Sequence, residues 1–241
     1  MGKEMDRARD FARDLTTTYG DELVSVVLYG SAARGEYREG VSDLNLLVLL
    51  RDTAAATLRR GSALARSWGA AKNPPPLVMS EREFRGSADV FPMELADIRD
   101  AHVVLYGADP FAVVEISPAD LRLQLERELK SAYIRLRTRY MTDAGDAARF
   151  EPLLLKSLST FLVMFRTVLR LSGDGGTRDP DAVVRATAQR VGFDPAPLLE
   201  IVRARAGGAK LDVRPDAPVV TGYLDAVAEV VRYVDRFEAA A

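Results

Sequence analysis

Residues 28–48 read Leu-Tyr-Gly-Ser-Ala-Ala-Arg-Gly-Glu-Tyr-Arg-Glu-Gly-Val-Ser-Asp-Leu-Asn-Leu-Leu-Val. The apolar, β-branched run Leu23–Tyr29 predicts a strand that ends at Gly30-Ser31. A short helical turn follows. A second strand is predicted from Asp43 to Leu50, apolar beyond Asn45 and therefore central in its sheet. Alternate strand positions share a face, so Asp43 and Asn45 are expected to project together. The Gly-Ser turn offers backbone N–H groups and the Ser31 hydroxyl. Leading into a helix N-terminus, such a turn suits an anion. Gly30 leaves room for a ligand to approach the backbone.

Gly30-Ser31, Arg34-Gly35, and Asp43-x-Asn45 on the next strand together form a specific pattern. Ser31 and Asp43 are separated by 12 positions, and Ser42 precedes Asp43. The pattern resembles the signature of polymerase-beta-like nucleotidyltransferases, with Asn45 in place of the second Asp. It is also similar to a bacterial subgroup of nucleotidyltransferase-domain proteins with a Ser-Asp-Ile-Asn type strand. The resemblance is specific over residues 23–50 and looser to about 110. It implies an α/β nucleotidyltransferase fold with a mixed sheet. It further implies an enzyme that moves a nucleoside monophosphate from a nucleoside triphosphate (NTP) to a hydroxyl of a small molecule or protein. Gly30 and Ser31 would hold phosphates, and Arg34 would contact phosphate or form a structural salt bridge. Asp43 and Asn45 would coordinate Mg²⁺.

Nucleotidyl transfer uses divalent cations held by hard oxygen ligands. The family carries a third acidic residue on a later neighbouring strand, which completes the metal site or acts as the base. Val90–Ile98 is predicted as that strand, with Pro92 at its beginning or on an edge. Phe91, Met93 and Leu95 would share one face and Glu94 the other. An acid within an apolar strand is costly without a partner, which favours Glu94 over Asp97. Asn45 keeps a carbonyl oxygen but carries no charge. Three readings follow: an enzyme with a weakened second metal, a protein that binds a nucleotide without transferring it, or a scaffold whose helical part carries the function.

The remaining sequence bounds these readings. The chain has 241 residues, 48% of them hydrophobic, and a formal net charge of −2. Nothing in that balance points to coating of nucleic acid or of an anionic membrane. There are no cysteines and one histidine, His102, so thiolate metal sites and a Ser-His-Asp triad are not expected. His102 is expected to be structural. No signal-peptide pattern or uninterrupted apolar span is apparent, and a cytoplasmic location is expected.

The predicted elements are a helix over 3–18, a helix capped by Asp52 or Thr53 to about Trp68, and an extended loop at Pro74-Pro75-Pro76. A short strand over 77–79 and a capping box from Ser80 to Glu83 follow. Val103–Tyr106 is extended, and both Leu-Tyr-Gly copies, 28–30 and 105–107, mark strand ends. The nucleotidyltransferase domain is set at 1–112 and an α-helical domain at 113–241. Helices are expected over 118–142 and 147–171, from Pro180 and from Pro195, and over 218–238. Gly207-Gly208 is read as a break. The basic residues of 118–142, interleaved with Glu126 and Glu128, fit a solvated face better than a cationic wall. Lys156, Ser159, Thr160, Arg166, Thr167 and Arg170 fall near one polar stripe. Trp68 and Phe161–Phe165 read as core.

Overall fold

Leu23–Tyr29 forms β1, buried along most of its length, as its apolar run requires. The computed structural model describes residues 2–37, 42–207 and 210–237. The chain divides into two compact units, Met1–Ser117 and Pro118–Ala241.

In the first unit β1 pairs antiparallel with β2, Asn45–Leu50, and with β4, His102–Gly107. The short β3, Leu77–Ser80, runs parallel to β2. The order is β3-β2-β1-β4, a mixed sheet with β1 and β2 in its centre. Both Leu-Tyr-Gly segments end strands, with Gly30 at φ 81° and Gly107 at φ 76°. Gly107 also passes tightly over β1: a Cβ there would lie 2.0 Å from the Val24 carbonyl oxygen.

Strand alternation divides the core in two. Val26, Leu28, Leu46, Val48 and Leu50 face α1, Lys3–Tyr19, and Trp68 of α3, Ser62–Ala70. The α1 side of this layer is Ala8, Phe11, Ala12, Leu15 and Tyr19, a helical stripe. Trp68 stacks 4.4 Å from Phe11, so it is a core residue. The predicted helix to Trp68 is split at Gly61 into α2, Ala55–Arg60, and α3.

Val27, Leu47 and Leu49 face the other layer, with Phe84 of α4, Glu81–Arg85, and Leu95 and Ile98 of α5, Pro92–Arg99. Ser80 caps α4 in the predicted box: Glu83 N–H donates to Ser80 Oγ at 3.1 Å, and Ser80 N–H donates to Glu83 Oε2 at 2.7 Å.

The segment predicted as a strand over Val90–Ile98 is α5. Pro92 stands at its first position, where a missing N–H costs nothing and φ is already helical. Met93, Leu95, Ala96 and Ile98 are buried at helical spacing, so the apparent alternation of Phe91, Met93 and Leu95 was fortuitous.

The second unit is helical: α6, Pro118–Asp143; α7, Ala147–Leu171; α8, Pro180–Val191; α9, Ala196–Arg205; and α10, Pro218–Asp235. Gly208 and Glu238 lie outside the described residues. α7 packs against the other four helices. By length and composition α7 passes for a membrane span, yet Leu154, Leu158, Phe161, Leu162, Phe165 and Val168 bury it in the bundle. Thr167 is buried too and bonds to the Val163 carbonyl, so the polar stripe expected on this helix is interrupted. Tyr223 of α10 is fully buried, and its hydroxyl meets Ser157 Oγ at 2.9 Å. On α6, Arg122 and Lys130 both pair with Glu126, Lys130 also with Asp235, and Arg139 with Asp143. These pairings agree with a solvated face.

Candidate functional site

The site is built where β1 ends. Its last residue, Tyr29, lies opposite Asn45 of β2 on one side and His102 of β4 on the other. Directly opposed residues share a face, so the three form a row at one end of the sheet. Burial pushes the Tyr29 phenol up from its ordinary pKa. His102 is held in place: Nδ1 lies 3.0 Å from the Arg99 carbonyl, Nε2 lies 3.2 Å from Asp109, and the ring packs on Phe111. These contacts give it an anchoring role, as expected.

After Tyr29 the backbone turns sharply at Gly30. A Cβ on Gly30 would lie 3.0 Å from Asn45 Nδ2, so the side-chain amide of Asn45 sits directly against the turn. Hydrogen bonds from Arg34 N–H and Glu36 N–H to the Ser31 carbonyl, at 3.2 and 2.9 Å, close the turn. Gly35 N–H donates to Ala32 O at 3.2 Å. Among the described residues, the N–H groups of Ser31, Ala32 and Ala33 make no backbone hydrogen bond. No helix is formed over 31–37, so the turn presents its amides and no helix end. The Arg34 guanidinium donates to Glu36 at 2.7 Å, which is the salt-bridge alternative for that residue.

Asp43 is not on the strand. The ladder between β1 and β2 ends at the Tyr29–Asn45 pair because β1 turns away at Gly30. Residues 42–44 are therefore left without a strand partner, and Asp43 is exposed. Gly30 and Asn45 are brought together; Asp43 is two residues beyond the ladder. Glu94 is exposed in the first turn of α5, where the helix dipole favours an acid. Glu94 is therefore not an acid within an apolar strand, and Asp97 is half-buried on the same helix. The strands that flank the central pair, Leu77–Ser80 and His102–Gly107, contain no Asp or Glu. Among the described residues no three Asp, Glu or His side chains gather as a metal site. One exposed carboxylate and one neutral amide do not make the carboxylate set of a two-ion centre. Sequence reasoning missed Glu36 as the partner of Arg34; their spacing of two was the available signal. It also missed Tyr29, whose place in the row depends on the pairing of β4.

Residues 8–107 match the family described as "Nucleotidyltransferase domain". No curated protein matches the chain. Among solved structures, it is similar to a spectinomycin adenyltransferase from Enterococcus faecialis, determined with ATP and spectinomycin. That likeness has a TM-score of 0.56 at 12% identity and covers 93% of this chain and 98% of the other. It shows the fold, an α/β unit followed by a helical bundle. A toxin-antitoxin structure with AMP-PNP matches at 19% identity over 42% of this chain and 74% of the other, with a TM-score of 0.29 that carries no structural weight.

Proposed function

We propose that the first unit binds a nucleoside triphosphate at the Gly30–Ser31 turn. The observation that carries this reading is the turn itself. Among the described residues, the N–H groups of Ser31, Ala32 and Ala33 make no backbone hydrogen bond, and the Asn45 amide lies against Gly30 at the end of the two central strands. Backbone N–H groups gathered in a turn suit phosphate oxygens. The match of residues 8–107 to the nucleotidyltransferase domain family agrees. A small nucleotide fits the chain better than a nucleic acid, because the net charge is −2 and the α6 cations named above are paired with acids.

A second reading is Mg²⁺-dependent transfer of a nucleoside monophosphate to a hydroxyl of a small molecule or protein. Similarity to an adenyltransferase along both units favours it. Its weakness is the donor set: Asp43 is exposed beyond the strand, Asn45 adds a neutral oxygen, and Glu94 sits on a helix. Transfer therefore takes second place to binding.

Calorimetric titration with ATP, GTP, CTP and UTP in Mg²⁺ buffer tests the first reading. At least one is expected to bind, and Ser31→Ala is expected to weaken it about threefold to tenfold by removing a hydroxyl donor. If none of the four binds, both readings fail. Pyrophosphate release in the presence of Mg²⁺ and a panel of hydroxyl acceptors tests the second reading. Release abolished by Asp43→Ala and by Glu94→Ala supports it; no release with any acceptor argues for binding alone.

A further inference from the structure

A carboxylate at the position of Asn45 would stand beside the phosphate turn as a second negative charge after Asp43. A triphosphate could then settle there only with a cation between the charges. Asn45 changes the chemistry of that position. Its amide is neutral and carries two N–H donors, and an aspartate carries none. The amide is also well placed, since Nδ2 lies 3.0 Å from where a Gly30 Cβ would be, at the start of the turn in which, among the described residues, the N–H groups of Ser31, Ala32 and Ala33 make no backbone hydrogen bond. Asp43 is exposed and outside the strand, so its charge is screened by water. Arg34 is neutralised by Glu36, so the turn receives an anion mainly through neutral donors.

Resting on the nucleotide-binding reading above, we infer that Asn45 is a phosphate ligand, and that the turn takes its triphosphate without needing a divalent cation. The Asn45 amide donates to a phosphate oxygen at a position where an aspartate would require a cation. Substitution at this single position converts cation-dependent binding into cation-independent binding. The unit is then a nucleotide receptor whose occupancy follows nucleotide concentration and is indifferent to free Mg²⁺.

The test titrates the full chain with ATP, GTP, CTP and UTP, each in EDTA and in excess Mg²⁺, for wild type, Asn45→Asp and Asn45→Ala. Wild-type affinity for the nucleotide that binds is expected to differ less than about threefold between the two media, as neutral donors predict. Asn45→Asp is expected to bind at least about tenfold more weakly in EDTA than in Mg²⁺, from the added charge. Asn45→Ala should lose about tenfold in both media, because it removes the donors and adds no charge. Fluorescence of Trp68, the single tryptophan, reports whether each variant keeps the first unit folded. If Asn45→Asp does not fold, Asn45→Ala and the wild-type comparison still decide the matter. Wild-type binding that appears only with Mg²⁺ overturns the inference and leaves nucleotide binding intact. So does an Asn45→Ala variant that binds like wild type. Absence of binding in both media removes the nucleotide reading itself.

Discussion

Replacing Gly30 by alanine tests the turn on which the site depends. Gly30 sits at φ +81°, where an L side chain costs roughly 1–2 kcal/mol. Alanine also restricts the unfolded chain, which returns about 0.4–1 kcal/mol. The net strain is therefore about 1 kcal/mol. The new methyl would also stand 3.0 Å from Asn45 Nδ2 and push that amide aside by a few tenths of an ångström. Gly35 is the control, at φ +73° with nothing within 4 Å of its added Cβ. It carries the strain without the contact. Gly107 is the opposite extreme, because its Cβ would meet the Val24 carbonyl at 2.0 Å, an atom of the central strand. Overpacking against backbone adds about 3 kcal/mol to the strain there. Urea denaturation followed by Trp68 fluorescence reads the first unit, and ~1 kcal/mol moves the midpoint by about 0.5 M at a slope near 2 kcal/mol per molar. The expected order of destabilisation is Gly35→Ala, then Gly30→Ala, then Gly107→Ala. Nucleotide affinity should fall in Gly30→Ala and stay unchanged in Gly35→Ala. Equal midpoints and equal affinities for Gly30→Ala and Gly35→Ala would refute the contact between Asn45 and the turn.

Three further outcomes follow from other parts of the structure. Ser80→Ala removes the hydroxyl of the capping box and should cost about 1 kcal/mol in the same urea assay. Hydrogen bonds from Ser80 hold the Glu83 carboxyl below its ordinary pKa, so its contribution is present at neutral pH and is lost as pH falls from 4.5 downward. Alanine keeps the Ser80 N–H, the larger of these donors, so the acid limb of the stability profile should flatten only in part in Ser80→Ala. In the second unit, burial pushes the Tyr223 phenol well above its ordinary value of 10.0. The unfolded chain loses that proton first, so helical stability is intact below pH 10.0 and declines above it; Tyr223→Phe should remove this decline in circular-dichroism melts while costing about 1 kcal/mol from the lost bond to Ser157. Phe84→Ala, in the layer with Val27, Leu47 and Leu95, should cost about 3–5 kcal/mol, again read through Trp68.

Much of the site was legible in sequence because local chemistry decides it. A β-branched run broken by Gly-Ser reads as a strand and turn wherever it occurs, and β1 begins and ends where predicted. Ser80 and Glu83 form their box because a cap needs only a few neighbouring residues. Segments with two competing signals were harder. Phe91, Met93 and Leu95 alternate as in a strand, while Pro92 also suits the first turn of a helix. Burial against Phe84 and β2 selected the helix, and that choice lies outside any local window. Asp43 was misplaced for a related reason: where a strand stops depends on its partner, and β1 leaves the ladder at Gly30.

The sequence by itself determined that a Gly-Ser turn separates two central strands, that a neutral Asn45 follows Asp43 at a spacing of two, and that a helical unit follows. Covalent order, strand periodicity and side-chain type carry that information. Only the tertiary structure decided which groups meet. It set the Asn45 amide against Gly30, left Asp43 beyond the strand, gave Arg34 to Glu36 and put Glu94 on a helix. Pairing partners, register and the burial of one helix face are long-range choices, and they determine the charge and the donors that surround the turn.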